Sequence, residues 1–221
     1  MSRQKKTRFK EIADRYNVIE RQTERFEKLR GNWKIDHFKN NNPINLELAC
    51  GRGEYTVGLA KHFPDENFIG IDIKGERLWK GSTESLNHNL ENTAFLRTFA
   101  LDLEQSFESN EIKDIWIIHP DPRPRDRDEK RRLTHDRFLD IYKKIQENDG
   151  TVYFKTDNTD LFQWTLDEVL SKRDDIKNLV YTFDLKNSEL LEEHYGITTK
   201  YEKKFEAEGE KIKYMKFQWK V

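Results

Sequence analysis

The 221 residues, 35% of them hydrophobic, are enough for one α/β domain with a sizeable core and a short appendage. No apolar run approaches the roughly 18 residues of a membrane span and the opening MSRQKKTRFKEIADRY is charged throughout, so a spanning helix and a signal peptide are excluded and a cytoplasmic protein is expected. The net charge of −1 hides three basic segments on an acidic body: residues 1–30 with ten Lys/Arg against five acids, 123–132 with six against three, and 200–220 with seven against four.

Met1–Lys10 carries five basic residues and no acid and reads as a mobile arm. Tyr16, Ile19, Phe26 and Leu29 recur among charges at spacings that predict one amphipathic helix over Tyr16–Leu29. Gly31 and Pro43 bracket an Asn-rich link, dividing the chain into a basic arm with its helix, 1–42, and a main domain, 43–221.

The main domain is organised around NLELACGRGEYTVGLA, Asn45–Ala60. Ile44, Leu46 and Leu48 form a short buried strand, Cys50-Gly51-Arg52-Gly53 a loop without side chains at two positions where backbone must turn, and Tyr55, Leu59 and Phe63 a following helix. Strand, tight loop and helix make a nucleotide-cofactor site, because a helix N-terminus offers free N–H groups. A dinucleotide fingerprint wants a third glycine, where position 56 is Thr. Glu47, inside the strand end, suits a cationic ligand better than a pyrophosphate, and S-adenosylmethionine is cationic with no phosphate. Cys50 is the lone cysteine, so no internal disulfide is expected, and beside the loop it reads as a small packing residue.

Phe68–Asp72 is a second apolar run closed by an acid, and Asp72 lies 19 residues after Gly53, within reach of both ribose hydroxyls of a nucleoside. That reach serves a nicotinamide dinucleotide equally well. Lys74–Leu90 is a helix, and Ala94–Asp102 a third run ending in an acid, with Asp102 placed for an adenine amino group. Ile115–Ile118 is continuously apolar, as a central parallel strand should be.

After it comes HPDPRPRDRDEKRRLT, His119–Thr134. Three prolines in five positions forbid helix, so Asp121 is presented rigidly at a strand's carboxyl end, where open α/β sheets bind ligands. A rigid acid beside a basic run is arranged for chemistry on a polyanion, provided the three basic segments share a face; the alternative is a stiff turn among solvated charges. A helix bearing Phe138, Leu139, Tyr142 and Ile145 follows. Gly150–Asn158 is a fifth strand ending in polar residues, with Leu161, Phe162 and Leu166 on the next helix. Leu179–Leu185 and Ile212–Trp219 supply two last strands, expected to pair antiparallel across Lys186–Glu210. Five βα steps and a closing antiparallel pair predict a class I methyltransferase fold, Rossmann-like. Its sheet is seven-stranded and mostly parallel, with helices on both faces and an antiparallel last strand.

The chain resembles the bacterial tRNA (guanine-N7-)-methyltransferase family over nearly its whole length after residue 40. The resemblance is carried by LELACGRGEY, GIDIKGERLWKG at Gly70–Gly81, HPDPRPRDRDEKRRLT, FKTDN at Phe154–Asn158 and TTKYEKKF at Thr198–Phe205. It implies methyl transfer from S-adenosylmethionine to N7 of a guanosine in the variable loop of tRNA. Glu47, Gly51, Gly53, Asp72, Asp102 and Asp121 would bind the cofactor, and Asp121 would also face the target base as the catalytic residue. Arg125, Asp157, Thr199, Lys200, Tyr201 and Glu202 would meet the tRNA guanosine and its surroundings; no metal and no membrane contact are implied, and a monomer and a homodimer stay equally open. The chain departs from the family pattern at Ala49, where many relatives have Gly, at Arg123 for Trp, and at Arg125 for Lys.

Two rival readings stand beside this one. A nicotinamide-dependent oxidoreductase would share the loop and Asp72 but lacks the third glycine. An RNA-binding module without catalysis needs only the basic segments and leaves three acids at consecutive strand ends unexplained.

Overall fold

The computed structural model describes Arg8 and residues 11–220; the arm expected over Met1–Lys10 lies, apart from Arg8, outside them. Eight strands form one sheet: β1 Val18–Glu20, β2 Ile44–Leu48, β3 Asn67–Ile71, β4 Thr93–Arg97, β5 Ile115–Ile118, β6 Thr151–Thr156, β7 Ile176–Thr182 and β8 Lys213–Trp219. Their order is β1-β4-β3-β2-β5-β6-β8-β7, parallel from β1 to β6, with β8 antiparallel to both β6 and β7. The seven strands expected from sequence are all present. β1 is an eighth.

That eighth strand corrects the helix expected over Tyr16–Leu29. Val18 and Ile19 are adjacent, β-branched and both buried, as in a strand between two covered faces. Val18 pairs with Phe95 and Glu20 with Arg97, whose side chains form an ion pair at 3.1 Å. Gln22, at φ +62, breaks the strand. Thr23 then caps a separate helix, α1 (Glu24–Leu29), by accepting from the Phe26 N–H at 3.2 Å. Phe26, Leu29, Trp33 and Phe38 all enter the principal core, so this segment packs against the sheet.

Odd and even strand positions divide between two faces. Leu46, Leu48, Ile69, Ile71, Ile115, Ile117, Met215 and Phe217 face the larger core with Phe138, Leu139, Tyr142 and Ile145 and the N-terminal segment. Phe68, Trp116 and Ile118 face Tyr55, Leu59 and Ala60 of α2 (Glu54–His62), beside which packs α3 (Gly75–Asn87). Further α-helices are α4 (Leu103–Ser106), α5 (Asp136–Ile145), α6 (Thr159–Trp164) and α7 (Lys200–Ala207). α7 and short 3-10 turns occupy the segment between β7 and β8 that the sequence left as a loop.

Candidate active site

All six parallel strands end at one rim, and the residues singled out from sequence gather there. After β2 the backbone turns through Ala49, Gly51 and Gly53 at φ +54, +57 and +69. A Cβ on Gly53 would lie 2.6 Å from the Phe95 ring, so that position admits no side chain. Ala49 adopts a left-handed conformation that glycine takes without strain, which is the physical content of its departure from the family pattern. Glu47 is buried beneath this turn and accepts from both the backbone N–H, at 2.7 Å, and the hydroxyl of Thr56. Burial pushes its carboxyl up to about 8, against those two hydrogen bonds. Its observed partners therefore lie in the first turn of α2.

Asp72, the residue after β3, is buried and binds the glycine loop directly: it accepts from the N–H of Gly51 at 3.0 Å and of Lys74 at 2.8 Å. Arg77 approaches the same carboxylate at 3.8 Å. Beyond β4, the strand expected to run to Asp102 stops at Arg97, and Asp102 closes a 3-10 turn, Ala100–Asp102. From this turn Asp102 makes an ion pair with Arg21 at 2.9 Å. A cleft of about 280 Å³ opens here, bordered by Arg21, Gln22, Ile73, Arg97, Thr98 and Phe99. It suits part of a nucleoside: the buried Thr98 hydroxyl has no partner among the described residues, and Ile73 and Phe99 are half-exposed apolar walls. A larger hollow of about 540 Å³, bordered by Asn40, Lys61, Pro64 and Asn92, lies at the amino ends of β2 to β4, away from these acids.

Past β5, His119 and Arg123 have φ +45 and +48, and Asp121 stands between prolines with its side chain 64% exposed, 3.2 Å from the Arg123 guanidinium. Arg123 thus supplies Asp121 with a cation. Much of the basic run is held internally. Arg125 and Arg131 both bind buried Asp128 at 3.0 Å, and Arg132 donates to the Arg123 carbonyl and lies over the Trp164 ring at 4.3 Å.

A third group joins β5, β6 and α7. Asp157 meets His119 Nδ1 at 2.9 Å, and Glu202 meets Lys155 Nζ at 2.7 Å and lies 3.7 Å from His119 Nε2, an ion-pair contact beyond hydrogen-bonding reach. Lys155 also donates to the Tyr55 hydroxyl at 2.8 Å, which pairs with His194 at 2.7 Å. Burial alone would raise the carboxyl of Glu202, but His119 and Lys155 hold it down at about 2. Burial likewise opposes charge on His119, yet Asp157 and Glu202 together raise it above the ordinary imidazole value. Thr199 is the N-cap of α7, in a capping box with Glu202.

The structure therefore brings Gly51, Gly53 and Asp72 into one loop assembly, sets Asp102 and Asp121 on the same rim beyond β4 and β5, with β3 and β2 between them, and joins Asp157 to Glu202 through His119. The TKYE residues divide: Thr199 and Glu202 are buried in α7's own cap and ion pair, while Lys200 and Tyr201 are exposed. Arg125 is turned to Asp128. Sequence reasoning missed His119, Lys155, Tyr55, Thr98 and Arg21. His119, Lys155 and Tyr55 sit inside quoted motifs, which was the available signal; Thr98 and Arg21 do not.

A family model described as "Putative methyltransferase" matches residues 41–215. A tRNA (guanine-N(7)-)-methyltransferase of Cytophaga hutchinsonii is 48% identical over 219 residues, covering 99% of each chain. One of Christiangramia forsetii is 42% identical, again over 99% of both. Among solved structures, the 16S rRNA methyltransferase KamB superposes with a TM-score of 0.63 at 12% identity, over 93% of this chain and 99% of that one, a likeness of fold.

Proposed function

The chain belongs to the tRNA (guanine-N(7)-)-methyltransferase family, and on that premise we propose that it methylates N7 of a guanosine in tRNA, in the variable loop, with S-adenosylmethionine as donor. The observation that carries this reading is the row of acids on the rim, with Asp72 already bonded to the glycine loop at Gly51 and Asp102 and Asp121 following at the next strand ends.

When bound, S-adenosylmethionine supplies a methyl group on a positively charged sulfur. Asp72 would take the ribose hydroxyls, Asp102 the adenine amino group, and Asp121 would face the methyl group and the target base. Glu47 shapes the loop from beneath. On the tRNA side, Lys200, Tyr201, Arg125 and Asp157 would meet the guanosine and its surroundings, with Thr199 and Glu202 holding α7 by its capping box and the Lys155 ion pair. Guanine N7 has an in-plane lone pair and no proton, so in-line attack on the methyl carbon needs no general base. Transfer of the methyl group to N7 would leave the positive charge on the purine. A fixed carboxylate at Asp121 stabilises that charge. Among the described residues no helix is long and apolar enough to cross a membrane, and action on tRNA places the protein in the cytoplasm under this reading.

Incubation of bulk tRNA with methyl-labelled S-adenosylmethionine, followed by nucleoside analysis, should give label in 7-methylguanosine. Label in another nucleoside, or none, overturns the proposal.

A further inference from the structure

We infer that Arg21, on the turn after the edge strand β1, belongs to the cofactor's adenine subsite, where it orients Asp102 and closes the cleft beside Phe99 and Thr98. The inference rests on the S-adenosylmethionine reading and adds a segment that sequence had grouped with the basic arm. Because β1 is parallel to β4, its carboxyl end reaches the same rim as the other parallel strands. The register is pinned at this end: Glu20 pairs with Arg97, and Arg97 donates from Nε to the Ile73 carbonyl at 3.2 Å. The turn carrying Arg21 is thus tied to the residue following Asp72.

Arg21 Nη1 donates to Asp102 Oδ2 at 2.9 Å, and its guanidinium carbon lies 4.7 Å from the centre of the Phe99 ring. The cleft it borders, about 280 Å³, is the size for a nucleobase rather than a whole cofactor. Adenine offers apolar faces, an amino donor and ring-nitrogen acceptors. Ile73 and Phe99 supply apolar walls, and a carboxylate has acceptor sites left after one is given to Arg21. Arg21 has further N–H groups, and the buried Thr98 hydroxyl lacks a partner among the described residues, so both can serve the ring nitrogens. Were Arg21 instead one more phosphate contact of the basic N-terminal segment, its loss would weaken tRNA and leave the cofactor untouched.

The test is calorimetric titration of S-adenosylhomocysteine, and of its inosine counterpart bearing oxygen in place of the amino group, into the full chain and into Arg21→Ala and Arg21→Gln. Arg21 is partly exposed on a turn, and Thr98→Val gives a second, nearly isosteric probe. Arg21→Ala should weaken S-adenosylhomocysteine about tenfold or more and narrow the preference for adenine over hypoxanthine, with tRNA affinity within twofold of wild type. Thr98→Val should weaken the same ligand severalfold. Cofactor affinity unchanged in both Arg21 variants, with tRNA affinity reduced, overturns the inference and leaves the methyltransferase reading intact. Failure of the wild-type chain to bind S-adenosylhomocysteine overturns both.

Discussion

Asp121 and Glu47 show how position fixes what a carboxyl group can do. Glu47 is enclosed, held by Thr56 and pushed up to about 8 by burial, which suits a group that shapes a loop. Asp121 is largely in solvent, stiffened by prolines, with Arg123 at 3.2 Å, so it can present charge to a ligand with little reorganisation. Replacing Asp121 by Asn keeps its size and hydrogen bonding and removes the negative charge proposed to stabilise a purine becoming cationic. Asp121→Asn should therefore slow methyl transfer at saturating substrates by at least tenfold, about 1.4 kcal/mol, while tRNA affinity changes less. Single-turnover kinetics by rapid mixing decide it. A rate within twofold of wild type would mean that the charge plays no part in the transfer step. The carboxylates expected from sequence could be found at this scale because each closes an apolar run, and a run's end is visible locally. Whether a carboxyl then faces ligand or protein was not visible, since that depends on which residue lies above it: Thr56 above Glu47, and Arg21 beside Asp102.

Elements meet at the rim through side chains far apart in sequence. Lys155 reaches Tyr55 across 100 residues, and His119 of the β5 turn lies between Asp157 after β6 and Glu202 of α7. The groups facing His119 are Asp157, Glu202 and, with opposing sign, Lys155; His194 nearby is driven to the neutral form, mainly by burial. Such contacts follow from strand order, which is why periodicity gave the strands and no part of this network. Periodicity also merged β1 and α1 into one helix, passing over two adjacent buried β-branched residues and a threonine cap, because short elements give too few repeats to distinguish their periods. The His119 value is raised on folding, so its contribution to stability is fully present below the unfolded value near 6.5 and is lost as pH rises through the higher folded value. His119→Gln should accordingly destabilise the protein by about 1.5 to 3 kcal/mol at pH near 5.5, the range for a hydrogen bond involving charge, and by much less at pH near 9. Denaturant unfolding of both proteins at the two pH values measures this. An equal loss at both would show that the imidazole is held by packing and not by its charge.

At the scale of the whole molecule the −1 net charge is a poor guide, because each of the three basic segments sends part of its cations to the rim, while others, such as Arg30 beside Glu108 and Lys220 at the far end of β8, lie away from it. Arg21 meets Asp102, the 123–132 run leaves the end of β5, and the N–H of Lys200, first residue of α7, approaches Glu54 at the start of α2 at 3.4 Å. A polyanion laid along this rim would touch several cations at once, and each neutralised phosphate would release counterions. The logarithm of tRNA affinity should then fall steeply and linearly with the logarithm of salt concentration, while affinity for the cofactor changes little. Not every cation should count, since Arg125 and Arg131 are already committed to Asp128, and releasing them would leave that buried carboxylate exposed to an unpaired interior. Lys200 is the sharper probe: exposed, at a helix start, beside the glycine-loop helix. Lys200→Ala should lower the slope by about 0.7 to 0.9, the share of one phosphate contact, with cofactor affinity unaltered. Lys172 serves as the control, because it lies beyond α6, after the chain has run back from the end of β6, and is paired with Glu168 across one helical turn. Filter binding over a range of salt concentrations with wild type and the two variants gives the slopes. Equal changes for Lys200→Ala and Lys172→Ala would mean that tRNA is held diffusely over the surface and that the rim has no special part in receiving it.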